Sequence, residues 1–225
     1  MNTLADVEQA TGQVFPPLYH QLSAAGQLQW GALGWEGFQQ QSAQLRAQPP
    51  LLLFADEFEP IGRDELQEAW EDLTAEDHYN PLREDLELLP FARSGAGDVY
   101  CFWTNAPGFS EPSVVLVWHD DDRADILAAN LQDFVFRKMV EAVVELETQY
   151  SMLGKDTLAE ELQAWLGTHR AWLRDDQVAA LERLYARTDE IVAGRISEDE
   201  GQALLKQVIG FARLDESFAY VREGA

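Results

Sequence analysis

Residues 88–136 read LLPFARSGAGDVYCFWTNAPGFSEPSVVLVWHDDDRADILAANLQDFVF, and this stretch decides the fold. Val99, Cys101 and Trp103 alternate with Tyr100 and Phe102. Both sets are bulky or apolar, so the segment predicts a strand covered on both faces, an interior strand. Ser113 to Trp118 is a second β-branched and aromatic run, bounded by Pro112 on one side and by His119, Asp120, Asp121 and Asp122 on the other. It predicts a second central strand. The connection Asn105-Ala106-Pro107-Gly108 carries the residues that a long hairpin loop needs, so the two strands are expected to pair. Upstream, Ser94-Gly95-Ala96-Gly97-Asp98 is a tight turn in which glycine can take positive φ without steric cost. Downstream, a helix is expected from Asp133 to about Thr148. Its apolar residues, among them Phe134, Phe136, Met139, Val140, Val143 and Leu146, spread well beyond one stripe. Such a helix is expected to be buried on more than one side, by the sheet and by the C-terminal segments.

Working outward, Leu4 and Val7 mark a first short helix ending at Gly12, and Pro16-Pro17 open a second that stops at Gly26. Gln27 to Trp35 reads as a strand or edge loop, Gln39 to Gln48 as a polar helix, and Leu51 to Phe54 as a compact strand. Leu66, Ala69, Trp70 and Leu73 fall at helical spacing within Arg63 to Leu73, and residues 74–86 form a polar connection. Beyond Gly154 come helix formers. Leu158 to Gly167 make one helix, and Asp175 or Asp176 caps another. Ser197 with Glu200 has capping-box spacing for a third, and Asp215 begins a last short one.

The central segment resembles the core of the SUKH superfamily, the bacterial relatives of the yeast cell-wall-assembly regulator. Members share Pro-Phe, then Gly-Asp-x-Tyr, then a hydrophobic strand ending in a polar pair, then Asp/Glu-Phe opening a helix. Here the pattern falls on Pro90-Phe91, Gly97-Asp98-Val99-Tyr100, Val114 to His119-Asp120, and Gln132-Asp133-Phe134. Val7-Glu8 through Tyr19 is similar to the family's opening, although Ala25-Gly26 stands where Asn-Gly is usual. The expected fold class is therefore α+β. A central mixed or antiparallel β-sheet flanked by helices occupies residues 1–148, and an all-helical C-terminal extension occupies residues 149–225.

Sixteen Lys/Arg against 40 Asp/Glu give a net charge of −24, which disfavours nucleic acid or anionic lipid as a direct partner because both demand neutralisation of phosphate. Residues 1–122 alone carry 21 acidic and 4 basic side chains, a net of −17. A field of that sign attracts a basic partner, although acidity also serves solubility alone. The first residues lack a signal-peptide pattern and no window has the ~18 apolar residues of a membrane helix, so a cytoplasmic protein is expected. The single cysteine, Cys101, agrees with a reducing compartment.

No constellation specifies a reaction, so no enzyme and no cofactor are expected. His119 with Asp120–Asp122 is the most enzyme-like cluster, but no His-x-His or His-Glu-x-x-His supplies further metal ligands, and a solvated acidic turn is the simpler account. Cys101 lies in a strand expected to be buried. The glycines at 95 and 97 precede a strand, whereas a phosphate loop precedes a helix. His20, His78 and His169 stand alone. The resemblance implies an immunity-type protein that neutralises a secreted toxin, with a nuclease bearing a basic surface as one candidate. A scaffold or adaptor role is the alternative that the fungal relatives suggest. Candidate contacts for a protein partner are Asp56, Glu57, Glu59, Phe109, Asp120, Asp121 and Asp122.

Overall fold

The computed structural model describes residues 3–30, 35–149 and 151–222. In chain order the elements begin with α1 (Leu4–Thr11), α2 (Pro17–Ala24), α3 (Trp35–Ala47), β1 (Glu59–Pro60), α4 (Leu66–Thr74), β2 (Leu88–Arg93), β3 (Val99–Trp103) and β4 (Ser113–Val117). They continue with β5 (Arg123–Ala128), α5 (Leu131–Glu141), α6 (Leu158–His169), α7 (Asp175–Tyr185), α8 (Thr188–Val192), α9 (Glu198–Ile209) and β6 (Ser217–Ala219). A 3₁₀ turn at Arg170–Trp172 follows α6. The fold is α+β, and every strand pairing is antiparallel.

Contacts divide the chain into two compact units. One comprises Met1–Gln21, Glu57–Phe134 and Ala212–Ala225, and the other Leu22–Asp56 and Val135–Phe211. This differs from a boundary at residue 148. The segment before β1 belongs with the C-terminal helices, and the last residues return to the sheet.

The first unit is a six-stranded meander in the order β1-β2-β3-β4-β5-β6. The two expected strands are adjacent, with Cys101 opposite Val115 and Trp103 opposite Ser113. β3 is an interior strand, and Tyr100, Cys101, Phe102 and Trp103 are all buried. On the Tyr100/Phe102 face an aromatic cluster forms: Phe91 stacks on Phe102 at 4.2 Å, Tyr19 meets Phe102 at 5.4 Å, and Phe134 meets Tyr100 at 5.5 Å. The Pro90-Phe91 pair sits at a β-bulge, because the register passes from Pro90 opposite Cys101 to Ala92 opposite Tyr100 and skips Phe91. A bulge tolerates the proline that a regular interior strand would reject, and it turns a side chain out of the alternation. The Phe91 carbonyl accepts from the Ile61 N–H, so the irregularity leaves no unpaired acceptor there.

The sheet adds one strand to those expected and corrects one expectation. Arg123–Ala128 is strand β5: Ala124, Ile126 and Ala128 are fully buried and pair with β4, with a period of two. Asp215 opens no helix. Its N–H donates to the Ile126 carbonyl, and the residues after it form β6 beside β5. α5 begins at Leu131. Asn130 Oδ1 accepts from the Asp133 N–H at 2.9 Å, while Asn130 Nδ2 donates to Asp133 Oδ2 at 3.3 Å. That reciprocal cap explains why an aspartate two residues inside the helix is useful there.

In the second unit, Leu51–Phe54 is a buried turn and not a strand, with Leu52 at φ 56°. A short apolar run suits either state, and periodicity cannot separate them. His169 decides it, since its Nε2 accepts from the Leu52 N–H at 3.1 Å and meets a donor that a strand would have given to a neighbour. Phe54 packs edge-on against Trp165 at 5.5 Å, and Thr168 Oγ1 donates to the Pro49 carbonyl at 2.9 Å. Gln27 and Leu28 lie in a turn, and residues 31–34 of the strand expected over Gln27 to Trp35 lie outside the described residues. α5 also ends sooner than expected, at Glu141. Among the described residues, no helix is long and apolar enough to cross a membrane.

Two helical glycines make opposite predictions. A Cβ on Gly201 in α9 would lie 2.6 Å from Val144 Cγ2, whereas one on Gly167 in α6 would meet nothing within 4 Å. Gly201→Ala is therefore expected to destabilise by about 1–2 kcal/mol despite the better helix propensity of alanine, and Gly167→Ala to stabilise by up to ~1 kcal/mol. Urea unfolding of both variants checks this. Equal effects of one sign would show that propensity alone governs both sites.

Candidate functional site

An antiparallel meander places alternate turns at the same end of the sheet. The β2–β3 turn (94–98) and the β4–β5 turn (118–122) thus share one end, and Glu59, paired with Arg93 at the tip of β2, lies close to it. Glu57, at φ 48°, is tied in as well. Its Oε2 accepts from the Gly95 N–H at 2.7 Å, and its carbonyl accepts from the Tyr100 hydroxyl at 2.7 Å. The structure therefore gathers Glu57, Glu59, Asp120, Asp121 and Asp122 at one end. Phe109 is elsewhere. It sits in the β3–β4 loop at the opposite end, 5.7 Å from the Arg213 guanidinium, which also lies 5.9 Å over Trp103. Asp56 falls in the other unit.

Asp98 and His119 hold the two turns together. The buried Asp98 carboxylate uses both oxygens: Oδ1 accepts from the His119 N–H at 3.1 Å and lies 2.8 Å from His119 Nδ1, while Oδ2 accepts from the Ser94 hydroxyl at 3.0 Å. The turn that presents Asp98 requires glycine at 97, whose φ is +105°. This is the structural content of the Gly-Asp pair and of the polar pair at the end of β4. Asp98, His119 and Asp120 place ligand-type atoms within 4.8 Å of one another. Two of the three are already committed to each other, so the arrangement acts as a clamp between turns.

Burial pushes the Asp98 carboxyl up, but its hydrogen bonds from His119 and Ser94 outweigh that and hold it below the usual carboxylate range. The hydrogen bond to Asp98 raises His119 above the ordinary imidazole value against the opposing effect of desolvation, with Asp120 adding to the rise. A raised histidine stabilises the fold below its unfolded-state pKa, and that contribution is lost as pH rises through the folded value; a lowered aspartate does so above its unfolded value and loses the effect as pH falls. The ionic clamp thus spans the interval between the two folded pKa values. In an NMR titration the His119 imidazole is expected to titrate above the ordinary imidazole value, and Asp98→Asn to lower it. An unchanged midpoint in the variant would refute the clamp.

Tyr79, in the connection between α4 and β2, was not legible from the sequence. It is 67% exposed, packs against His78 with ring centroids 4.4 Å apart and the rings tilted by 31°, and donates its hydroxyl to the His119 carbonyl. Next to it, Asn80 Nδ2 donates to the Asp121 carbonyl at 3.1 Å and to the Tyr220 hydroxyl at 3.2 Å. Nothing in the periodicity of residues 74–86 singles out Tyr79. The basic groups here are engaged: Arg93 pairs with Glu65, and Arg123 approaches Asp121 at 3.8 Å and Asp125 at 3.7 Å. Glu59, Asp120 and Asp122 have no ion-pair partner among the described residues and are exposed. The whole first unit carries 24 acidic and 6 basic residues, a net of −18, against −6 for the second. Burial pushes the Cys101 thiol up, which favours its protonated form.

The chain matches the SMI1/KNR4 family (SUKH-1) over residues 2–137, a span that ends inside α5 and leaves α6 to α9 beyond it. No curated protein and no solved structure matches it. With more than half of its length matched, and with the motifs of the sequence pattern falling on β2, the β2–β3 turn, β4 and the start of α5, the chain belongs to the SMI1/KNR4 family (SUKH-1).

Proposed function

We propose that this chain is a non-catalytic protein-binding module, an immunity-type protein that neutralises a bacterial toxin domain by covering its basic surface. Family membership fits a binding module. The observation that carries the finer statement is the acidic sheet end, where exposed carboxylates without ion-pair partners among the described residues accompany an exposed aromatic, Tyr79, whose hydroxyl donates to the His119 carbonyl. Acidic groups of that kind steer a basic partner into encounter, and an aromatic side chain supplies a contact that holds it. The partner is a protein and not nucleic acid or membrane, since a surface of this charge repels phosphate. It acts in the cytoplasm, where a toxin with an intracellular target would have to be met.

The helices beyond the family match favour a second reading, a regulatory adaptor whose C-terminal unit engages a cellular protein. Co-expression with the product of the open reading frame adjacent to the chain's own gene separates the two. The immunity reading expects that product to arrest growth alone, and this chain to restore growth and co-purify with it. A product that is harmless alone, or that forms no complex with this chain, would leave the adaptor reading in its place.

A further inference from the structure

Within the second unit, α7 and α9 border a groove of about 300 Å³ floored by Val140, Leu184 and Ile196. Its rim carries two arginines, Arg183 and Arg187. Their situations differ. Arg187 is held by Glu190 at 2.8 Å and by Glu200, so its charge is already committed. Arg183 is exposed and has no carboxylate, carbonyl or ring partner among the described residues, in a chain with more than twice as many acidic as basic side chains. From α9 the lining includes Ala203, Leu204 and Gln207 together with Glu200, the one acidic group in the lining, which is ion-paired with the Arg187 it shares with Glu190.

We propose that this groove binds a small organic anion with a compact apolar body, such as an aromatic carboxylate. The apolar part would lie on Val140, Leu184 and Ile196 and the carboxylate at Arg183. A mostly apolar concavity with a few placed polar groups is the usual form of a small-molecule site, and this one is at the small end of that range. A guanidinium recognises a carboxylate through two parallel hydrogen bonds, so an uncommitted arginine on an apolar rim selects for charge as well as shape. The site is independent of the acidic sheet end.

The test uses the full chain, with 2-naphthoate and its neutral counterpart 2-naphthamide as probes in amide-resolved NMR titrations. Saturable shifts confined to residues around Arg183, Leu184, Ala203 and Leu204 are expected for naphthoate, with naphthamide about tenfold weaker. Arg183→Gln, at an exposed position, is expected to bring naphthoate down to the level of naphthamide. Ala203→Phe should fill the groove and abolish both. Equal binding of the two probes, no effect of Arg183→Gln, or shifts scattered over the chain would each overturn the assignment.

Discussion

Acidification from pH 7 to pH 4 is expected to remove about 3 kcal/mol of folding stability through one side chain, His169. The imidazole is completely buried at the end of α6. Its Nε2 accepts from the Leu52 N–H, so Nδ1 carries the proton and donates to the Trp165 carbonyl at 2.9 Å. Burial lowers its pKa to about 4, against a small opposing effect of the Trp165 carbonyl. The folded value lies below the unfolded value of about 6.5, so the unfolded chain takes up the proton first as pH falls. Stability is therefore unaffected by this group above pH 7, declines between 6.5 and 4, and changes no further below that. Protonation also turns the acceptor at Leu52 into a second donor, which breaks the contact that anchors the 49–54 turn to α6. His119 acts with the opposite sign, but it is partly exposed and its share is small. Urea-unfolding free energies of wild type and His169→Gln across this range isolate the effect, since the variant loses the histidine's contribution to the slope while costing about 1–3 kcal/mol at pH 7. Parallel pH profiles for the two proteins would exclude His169 as the source.

The two central strands, their pairing through the loop at 105–108 and the turn at Gly97 were legible because bulk, alternation and turn chemistry agree there. β2 was obscured by Pro90, which speaks against an interior strand until the bulge at Phe91 is seen. β5 carries only two-residue alternation among small side chains, directly before the stronger helical pattern of α5. Leu51–Phe54 has the composition of a strand, and only a hydrogen bond from a histidine more than a hundred residues away makes it a turn. At the candidate site the acidic residues were legible as charge. Their grouping needed topology: once β3 and β4 pair as neighbours, Asp98 and His119 must share an end and Phe109 must lie at the other. Tyr79 required the tertiary structure, since it is placed by one bond to the His119 carbonyl.

Asp120→Lys combined with Asp122→Lys is expected to slow association with a basic toxin domain by roughly 10–100-fold at low salt, while leaving folding stability within ~0.5 kcal/mol. The pair is chosen on structural grounds. Asp121 Oδ1 accepts from the Asp122 N–H at 2.7 Å and supports the turn, whereas Asp120 and Asp122 use their side chains for no ion pair among the described residues. Reversing two charges changes the local field by four units and leaves the hydrogen bonds of the turn in place, although the loss of Asp120 also draws the His119 pKa down. The effect should fade as ionic strength rises, because the screening length falls from ~10 Å at 0.1 M to ~3 Å at 1 M salt. Tyr79→Ala should act differently. It removes an exposed aromatic and no charge, so it is expected to raise the dissociation rate, by about 2 kcal/mol in affinity, with little change in on-rate. Phe109→Ala, at the far end of the sheet, should alter neither rate. Stopped-flow association at several salt concentrations distinguishes these outcomes. If the double charge reversal left the low-salt on-rate intact while Phe109→Ala weakened the complex, the partner would be docking at the β3–β4 loop beside Arg213, and the acidic end would be a solvated surface.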